Sequence, residues 1–172
     1  MLKLYIRQIL NDVHPTLLIS NDSYIIIGKN LIKILRELLL QYDYTSDFYI
    51  TITDTMDENL ANKATNDYRN FLNGNYELIY PIDVIDNIIE NEKIFKGYIY
   101  PEEVLTFLSV MIEYLTLEIL SLSGNATNDN KKMTIKPQFL YKAIKNNDEL
   151  KNLLDKVFDE PLSAIIYDDE IF

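Results

Sequence analysis

The segment from Glu113 to Leu154 constrains the fold more than any other part of this chain, because its pattern indicates three successive secondary-structure elements. Apolar residues recur at helical spacing from Leu108 to Leu122, and the pattern then runs into a polar end rich in Asn, Asp and Lys. The β-like triplet Met133–Ile135 follows, and Pro137 suits the first turn of a shorter helix. We therefore predict a long helix, a short extended bend and a short helix.

The first half of the chain repeats this order of elements with little residue identity. A short helix is predicted over Leu2–Val13, an extended piece over 17–19, and then a long helix capped by Ser20, Asn21 or Asp22. The other predicted elements are a strand at Tyr49–Thr53, a helix within Asp54–Leu72, a turn at Asn73–Asn75, a helix at Pro81–Asn91, an extended piece at Tyr98–Tyr100, the long helix from Pro101, and helices at Pro137–Asn146 and Asp148–Leu154, the last capped by Asn147.

Neither half can hide the apolar stripe of its long helix alone, so each long helix needs a partner from the other half. Antiparallel crossing of the two long helices is the economical solution. The predicted fold class is therefore all-α, with Asn73–Asn75 as the best internal boundary.

Composition excludes several classes of function. The net charge of −11 argues against a general polyanion binder, since affinity for nucleic acids rests on Lys and Arg. Cysteine is absent and His14 is the only histidine, which removes thiolate metal sites and most zinc and catalytic-triad chemistry. We expect a structural role for His14, no catalytic residues, no metal site and no cofactor. No apolar run is expected to be long enough to span a membrane.

Residues 113–154 closely resemble the core of histone type 2A, where the run EYLTxEILxLxGNAxxDNKKxxIxPxxLxxAIxNxxELxxLL occurs almost letter for letter. Residues 5–38 are similar to the opening of histone type 2B, and 49–53 look like the loop before its third helix, whereas the helix after that loop departs from the family. The type 2B match rests on Tyr5, Ile9-Leu10, Val13-His14-Pro15, Ile19-Ser20 and the spacing of Ile34 and Leu38. The chain as a whole resembles a fused type 2B–type 2A histone doublet without tails, of the kind known from large DNA viruses.

The resemblance implies two histone folds in a handshake pair within one chain, with short parallel β-bridges at the loops. One bridge would pair 17–19 with 133–135, and the other would pair 49–51 with 98–99. The implied division is a type 2B-like fold over 1–72, a linker over 73–79, a type 2A-like fold over 80–157 and a short acidic docking tail over 158–172.

The resemblance also implies a DNA-binding surface at the loops. Lys131 and Lys132 match the paired lysines of the type 2A loop. Ser20 is expected to begin a helix, and the N-terminus of a helix binds anions favourably. The implied DNA-binding residues are Ser20, Asn21, Thr51, Lys131, Lys132, Thr134 and Lys136. The alternative is a solvated pair of loop lysines. Positions that hold DNA-contacting arginines in the family are occupied here by other residues: Thr134, Asn128, Val84, Asn87 and Glu90. The resemblance therefore predicts fewer firm contacts with DNA and loose wrapping of the DNA.

Two protein-binding surfaces follow from the same resemblance. Four carboxylates match positions of the family's acidic patch, which docks arginine anchors of chromatin proteins: Glu113, Glu118, Asp148 and Glu149. An ordinary acidic helix face is the alternative. Phe48 and Tyr49 align with the family's contact to histone type 4, for which core packing is the alternative.

The function expected from the resemblance is that of a structural chromatin protein rather than an enzyme. The chain would join histone type 3 and type 4 partners, or their fused doublet, with a second copy of itself in the particle. It would package double-stranded DNA through the DNA backbone, with weak or partial wrapping. The expected location is viral chromatin, in the virion, the infected-cell nucleus or the viral factory, or otherwise the nucleus. The alternative is a histone-fold protein-interaction scaffold or assembly factor without direct DNA binding, which the acidic balance and the missing arginines favour.

Overall fold

A computed structural model of the chain describes residues 2–42, 52, 55–75, 77–92 and 99–157. Within these ranges the fold is mostly helical, as predicted, with seven α-helices and one pair of two-residue strands. The helices are α1 (Leu2–Val13), α2 (Asn21–Gln41), α3 (Glu58–Leu72), α4 (Ile82–Asn91), α5 (Glu102–Asp129), α6 (Pro137–Lys145) and α7 (Asp148–Val157), and the strands are β1 (Leu18–Ile19) and β2 (Thr134–Ile135).

Side-chain caps fix where several helices begin. The Ser20 hydroxyl accepts a hydrogen bond from the backbone N–H of Ser23 at 3.2 Å and so caps α2. The Asn147 side chain accepts from the N–H of Leu150 at 2.8 Å at the start of α7. Both caps confirm the predictions from the sequence. Asp57 caps α3 in the same way, within the segment where a helix was predicted.

The strands β1 and β2 form a parallel bridge between the two halves of the chain, with Leu18 opposite Thr134 and Ile19 opposite Ile135. The N–H of Leu18 donates to the carbonyl of Met133 at 2.8 Å, and the N–H of Ser20 donates to that of Ile135 at 3.0 Å. This pairing confirms one of the two predicted bridges. The second predicted bridge, between 49–51 and 98–99, lies outside the described residues apart from position 99.

A strand at Tyr49–Thr53 is wrong at the one position of that segment which the structure describes. Ile52 is helical and buried, and its carbonyl accepts a hydrogen bond from the N–H of Met56 at 2.7 Å. Short runs of β-branched residues have only a weak strand preference, which the surrounding packing readily overrides.

The helix α5 forms the centre of the fold and packs against α1, α2, α3, α4 and α6. Of its 28 residues, 17 are buried, so it has core on nearly every side rather than on one stripe. By length and composition it could cross a membrane, contrary to the expectation from the sequence, but 83% of its apolar window is buried inside the protein. Packing within the fold therefore accounts for its apolarity.

The two long helices α2 and α5 run in opposite directions, as predicted. The bridge places the start of α2 beside the end of α5, because β1 leads into α2 and β2 follows α5. Farther along, Leu35 of α2 and Ile112 of α5 line the same small apolar cavity. The predicted apolar face of α2 is buried throughout: Tyr24, Ile27, Leu31, Ile34, Leu35 and Leu38. Each such side chain contributes about 1.5–3 kcal/mol relative to an exposed position.

The turn at Asn73–Asn75 follows α3, as predicted, and Gly74 adopts a left-handed conformation with φ of 71°. Glycine adopts this conformation without the steric cost that other residues meet. The division of the chain at 73–79 into two histone-like folds stays a prediction.

Candidate nucleic-acid interface

The bridge gathers most of the predicted DNA-binding residues at one end of the molecule, which we call the bridge end and define as residues 18–21 and 131–136. The segment that opens α2 is tied to β2 by two hydrogen bonds, from the Ser20 N–H and the Ser23 hydroxyl to the carbonyl of Ile135, each 3.0 Å long. Residues that lie more than a hundred positions apart in sequence therefore share one surface.

The lysine loop of the bridge end has a defined backbone conformation. Lys131 is left-handed, with φ of 54°, and its N–H donates to the carbonyl of Asn128 at 2.8 Å. The N–H of Lys132 donates to the carbonyl of Thr127 at 3.0 Å. These bonds satisfy carbonyls at the end of α5 and turn the chain toward β2. Both lysine side chains are exposed, and neither forms a hydrogen bond or ion pair with the described part of the chain.

A shallow depression of about 170 Å³ lies beside this loop. Its lining consists of Lys132, Met133, Thr134, Lys136, Gln138 and Phe139. Two of these six side chains are cationic and two others carry hydrogen-bonding groups, so the depression has the chemistry to hold a phosphate. The structure thus brings Lys132, Thr134 and Lys136 together, as the resemblance implied.

The N-terminus of α2 contributes a further favourable site for an anion, since unpaired backbone N–H groups and the helix dipole point there. Lys3 of α1 reaches this terminus: its Nζ donates to the side-chain oxygen of Asn21 at 3.1 Å and lies 4.9 Å from the ring centroid of Tyr24. Lys3 is not among the residues predicted from the sequence, because it reaches this terminus through the long-range docking of α1 beside α2. The acidic Asp22 in the first turn of α2 partly offsets these charges.

Three predicted site residues lie outside the described residues: Thr51 of the DNA-binding set, and Phe48 and Tyr49 of the expected histone-partner interface.

The four predicted acidic-patch residues do not have equivalent surroundings. Glu113 is only 8% exposed, and its Oε2 accepts hydrogen bonds from the N–H groups of Ile79 at 2.6 Å and Tyr80 at 3.2 Å. Burial raises the pKa of the Glu113 carboxyl, and the two backbone hydrogen bonds act in the opposite direction. This side chain fastens the segment before α4 to α5 instead of facing solvent.

A sequence signal for this role exists in α5. Ser109, Glu113 and Thr116 are spaced so that they lie on one face of the helix, and all three are polar in an otherwise apolar stretch. All three contact Tyr80: the Ser109 hydroxyl donates to its carbonyl, Glu113 accepts from its N–H, and the Thr116 hydroxyl lies 3.3 Å from its phenol oxygen. Burial raises the pKa of the Tyr80 phenol far above its usual range. A polar stripe at this spacing predicts a buried polar partner.

Glu149 is already engaged by side chains from the first half of the chain. Its Oε1 accepts from the Asn59 side chain at 2.9 Å, and its Oε2 forms an ion pair with Lys63 at 3.2 Å. The hydrogen bond to Glu149 raises the pKa of Lys63, with smaller contributions from the nearby Tyr114 and Glu118. Lys63 therefore lies within the acidic surface that Glu118 and Glu149 form.

The other members of this surface differ in exposure. Glu118 and Glu149 are half-buried, whereas Asp148 is exposed in the first turn of α7. Tyr114 lies beside them, and burial raises its pKa to about 12. Neither Lys63 nor Asn59 was identified from the sequence, since both belong to the segment where the histone resemblance is weakest.

In the described ranges, no group of three or more acidic or histidine side chains is placed to hold a metal ion. The molecule therefore has two charged surfaces. The bridge end carries exposed lysines near the N-terminus of α2, and the acidic surface consists of Glu118 on α5 and Glu149 on α7 beside Lys63 on α3. The first surface suits a polyanion and the second suits a basic protein segment. No protein-family model matches the chain.

Proposed function

We propose that this chain is a structural chromatin protein, a doublet of a type 2B-like and a type 2A-like histone fold that packages double-stranded DNA together with type 3 and type 4 histone partners. The observation that most supports this is the parallel bridge between β1 and β2, which places Ser20 and Asn21 beside Lys131–Lys136. The near letter-for-letter resemblance of 113–154 to histone type 2A supports the same conclusion.

DNA binding by this surface rests on few charges. Four lysines lie at or beside the bridge end, and no arginine occurs in residues 14–24 or 127–140. Because each neutralised phosphate changes the slope of log K against log salt by about −0.9, four contacts give a slope of roughly −3.6. Against a net charge of −11, this favours weak, salt-sensitive binding and partial wrapping.

A second candidate is a protein-interaction scaffold with the same helical frame and no direct DNA binding. The outer face of α4 favours it, since Asp83 and Glu90 are exposed there and would repel a phosphate backbone. The acidic surface formed by Glu118 and Glu149 would then be the main docking site.

Reconstitution distinguishes the two candidates. The chain is mixed with type 3 and type 4 histones and a defined DNA, and the length protected from nuclease is measured. The proposal expects a discrete particle with less protection than an ordinary octamer gives. Replacing Lys131 and Lys132 by Gln should shorten the protected length, whereas the same change at the exposed Lys142 and Lys145 of α6 serves as a charge-matched control. Absence of any discrete particle would favour the scaffold.

A further inference from the structure

A groove of about 390 Å³ lies between the start of α1, the N-terminal half of α2 and the end of α4, and we call it the α2 groove. Its apolar lining includes Leu2, Ile25, Ile32 and Ile88. Leu2, Ile32 and Ile88 also line the small apolar cavity between α2 and α5 described above, so the floor of the groove adjoins the core. Ile25 is 47% exposed, and the groove therefore leaves apolar surface open to solvent.

Two lysines stand at the α2 groove. Lys3 of α1 and Lys29 of α2 both line it, and neither forms an ion pair within the part of the chain that the structure describes. The Nζ of Lys3 lies 4.9 Å from the ring centroid of Tyr24, which belongs to the same lining. Glu92 is the single acidic residue of the described lining, so the groove is cationic in a protein whose net charge is −11. A ligand that fits is both apolar and anionic.

Residues 158–172, which lie outside the described residues, have the complementary chemistry. Five of these residues are acidic and none is basic. The apolar run Ile165–Tyr167 and the pair Ile171–Phe172 stand on either side of the acidic run Asp168–Glu170. A segment that only keeps a protein in solution combines high charge with low hydrophobicity, and clustered isoleucine and aromatic residues do not fit that role. This composition favours contact with a surface that is apolar and cationic.

The same segment is long enough to reach the α2 groove. The described chain continues to Val157 at the end of α7, and α7 packs against α2. The 21 residues of α2 span about 31 Å, and a helix is about 10–12 Å wide. The chain from Val157 to Ile171 extends to about 46–50 Å, which exceeds that length and width together.

We propose that residues 165–172 bind in the α2 groove of the same chain, with their isoleucine and aromatic side chains on its apolar floor and Asp168–Glu170 beside Lys3 and Lys29. This occupant is favoured over a separate protein, because a short tether gives an effective concentration on the order of mM. The depression beside the lysine loop fits less well, since only two residues of its described lining, Met133 and Phe139, are apolar. The inference holds whether or not the chain packages DNA.

The test places one spin label in the full chain, which contains no cysteine of its own. The label is attached at Ser163→Cys, and the leucine and isoleucine methyl groups are labelled for NMR. The methyl signals of Leu2, Ile25 and Ile32 should lose intensity when the nitroxide is oxidised and regain it on reduction, because an unpaired electron broadens the signals of nearby nuclei. Leu72, which is 61% exposed at the end of α3, is the reference and should keep its intensity.

Charge reversal tests the cationic part of the groove. Replacing Lys3 and Lys29 together by Glu should abolish the loss of intensity. Adding Asp168→Lys and Asp169→Lys to that variant should bring the loss back, because the two charges are again opposite. Replacing Lys142 and Lys145 of α6 by Glu, both at exposed positions, is the charge-matched control and should leave the loss unchanged.

A mixing experiment identifies the occupant. Isotopically labelled chain without a spin label is mixed with spin-labelled chain of natural isotope abundance, and no loss of intensity is expected. A loss in this mixture would assign the groove to the tail of a second copy and overturn the inference. Unchanged groove signals in the spin-labelled chain itself would show that its tail does not bind there and overturn it too, as would a loss that persists after charge reversal at Lys3 and Lys29. None of these outcomes decides DNA packaging, which the reconstitution tests separately.

Discussion

The imidazole of His14 occupies the space that a side chain at position 124 would need. A Cβ added to Gly124 would overlap three ring atoms, while Nε2 of His14 lies 3.1 Å from the carbonyl oxygen of Ser121, one turn earlier in α5. The chain leaves α1 at this histidine, so the contact fixes how the first helix is joined to the central one.

Gly124→Ala should therefore destabilise the protein, although alanine is the better helix former. The gain in helix propensity is at most about 1 kcal/mol, and overpacking costs about 1–3 kcal/mol. The midpoint of chemical denaturation measures the net loss, and combining the change with His14→Ala should relieve it. Gly28→Ala is the control, since its Cβ would meet only Leu2 at 3.7 Å, and it should stabilise. Equal effects of the two substitutions would refute the steric explanation.

Glu113 should make stability depend on pH in a defined direction. Its pKa is raised by burial above the ordinary value of 4.5, so the folded state binds its proton more tightly than the unfolded state. Its contribution to stability is complete below about pH 4.5 and is lost as the pH rises through the folded pKa. Relative to Glu113→Gln, the intact chain should thus gain stability on acidification across that window.

Denaturation midpoints of the two proteins at a series of pH values measure this difference. Glu102→Gln, in the first turn of α5, removes the same charge from an exposed position and serves as the control. A difference that grows as the pH rises, in favour of the intact chain, would contradict the prediction.

Lys63 should compete with any basic segment that docks on the acidic surface of Glu118 and Glu149. Lys63→Gln is expected to increase the affinity for an arginine-bearing peptide and Glu118→Gln to decrease it, as measured by fluorescence anisotropy. Stability should change by less than about 1 kcal/mol, because an exposed ion pair contributes little. Lys151→Gln, which removes the similarly exposed partner of Asp155 on α7, is the control. Unchanged peptide affinity in Lys63→Gln would show that this lysine does not block the surface.

The salt dependence of DNA binding should show how many DNA phosphates Lys131 and Lys132 contact. Replacing Lys131 and Lys132 together by Gln should make the slope of log K against log salt about 1.8 less negative, as expected for two lost contacts. Titration of a short duplex at several salt concentrations measures it. An unchanged slope would show that Lys131 and Lys132 do not contact DNA and are solvated loop lysines, which is the alternative interpretation.

Periodicity and capping predicted the helical frame closely, because both depend on residues near each other in sequence. The helix at Leu2–Val13, the cap at Ser20 and the cap at Asn147 are confirmed. The bridge between 17–19 and 133–135 could not be deduced from local pattern and came from the histone resemblance.

The contacts that could not be predicted from the sequence join residues that lie far apart in it. The burial of Glu113 depends on Tyr80, which lies 33 residues away, and the pairing of Lys63 with Glu149 joins residues 86 positions apart. Neither contact has a local signature, apart from the polar stripe on α5. The helical conformation of Ile52 likewise reflects its buried surroundings rather than its own strand preference.

The bridge between β1 and β2 also dictates when this protein can fold during synthesis. The hydroxyl of Ser23 donates to the carbonyl of Ile135, 112 residues later in the chain, and the whole of α5 is made after α2. At about 5–20 residues per second, the ribosome needs on the order of ten seconds to supply that partner. Throughout that interval the apolar face of α2 has no α5 to cover it, so this face cannot be buried in its final packing. Completion of the C-terminal half, and not emergence of the N-terminal half, is the step that commits the molecule to its fold.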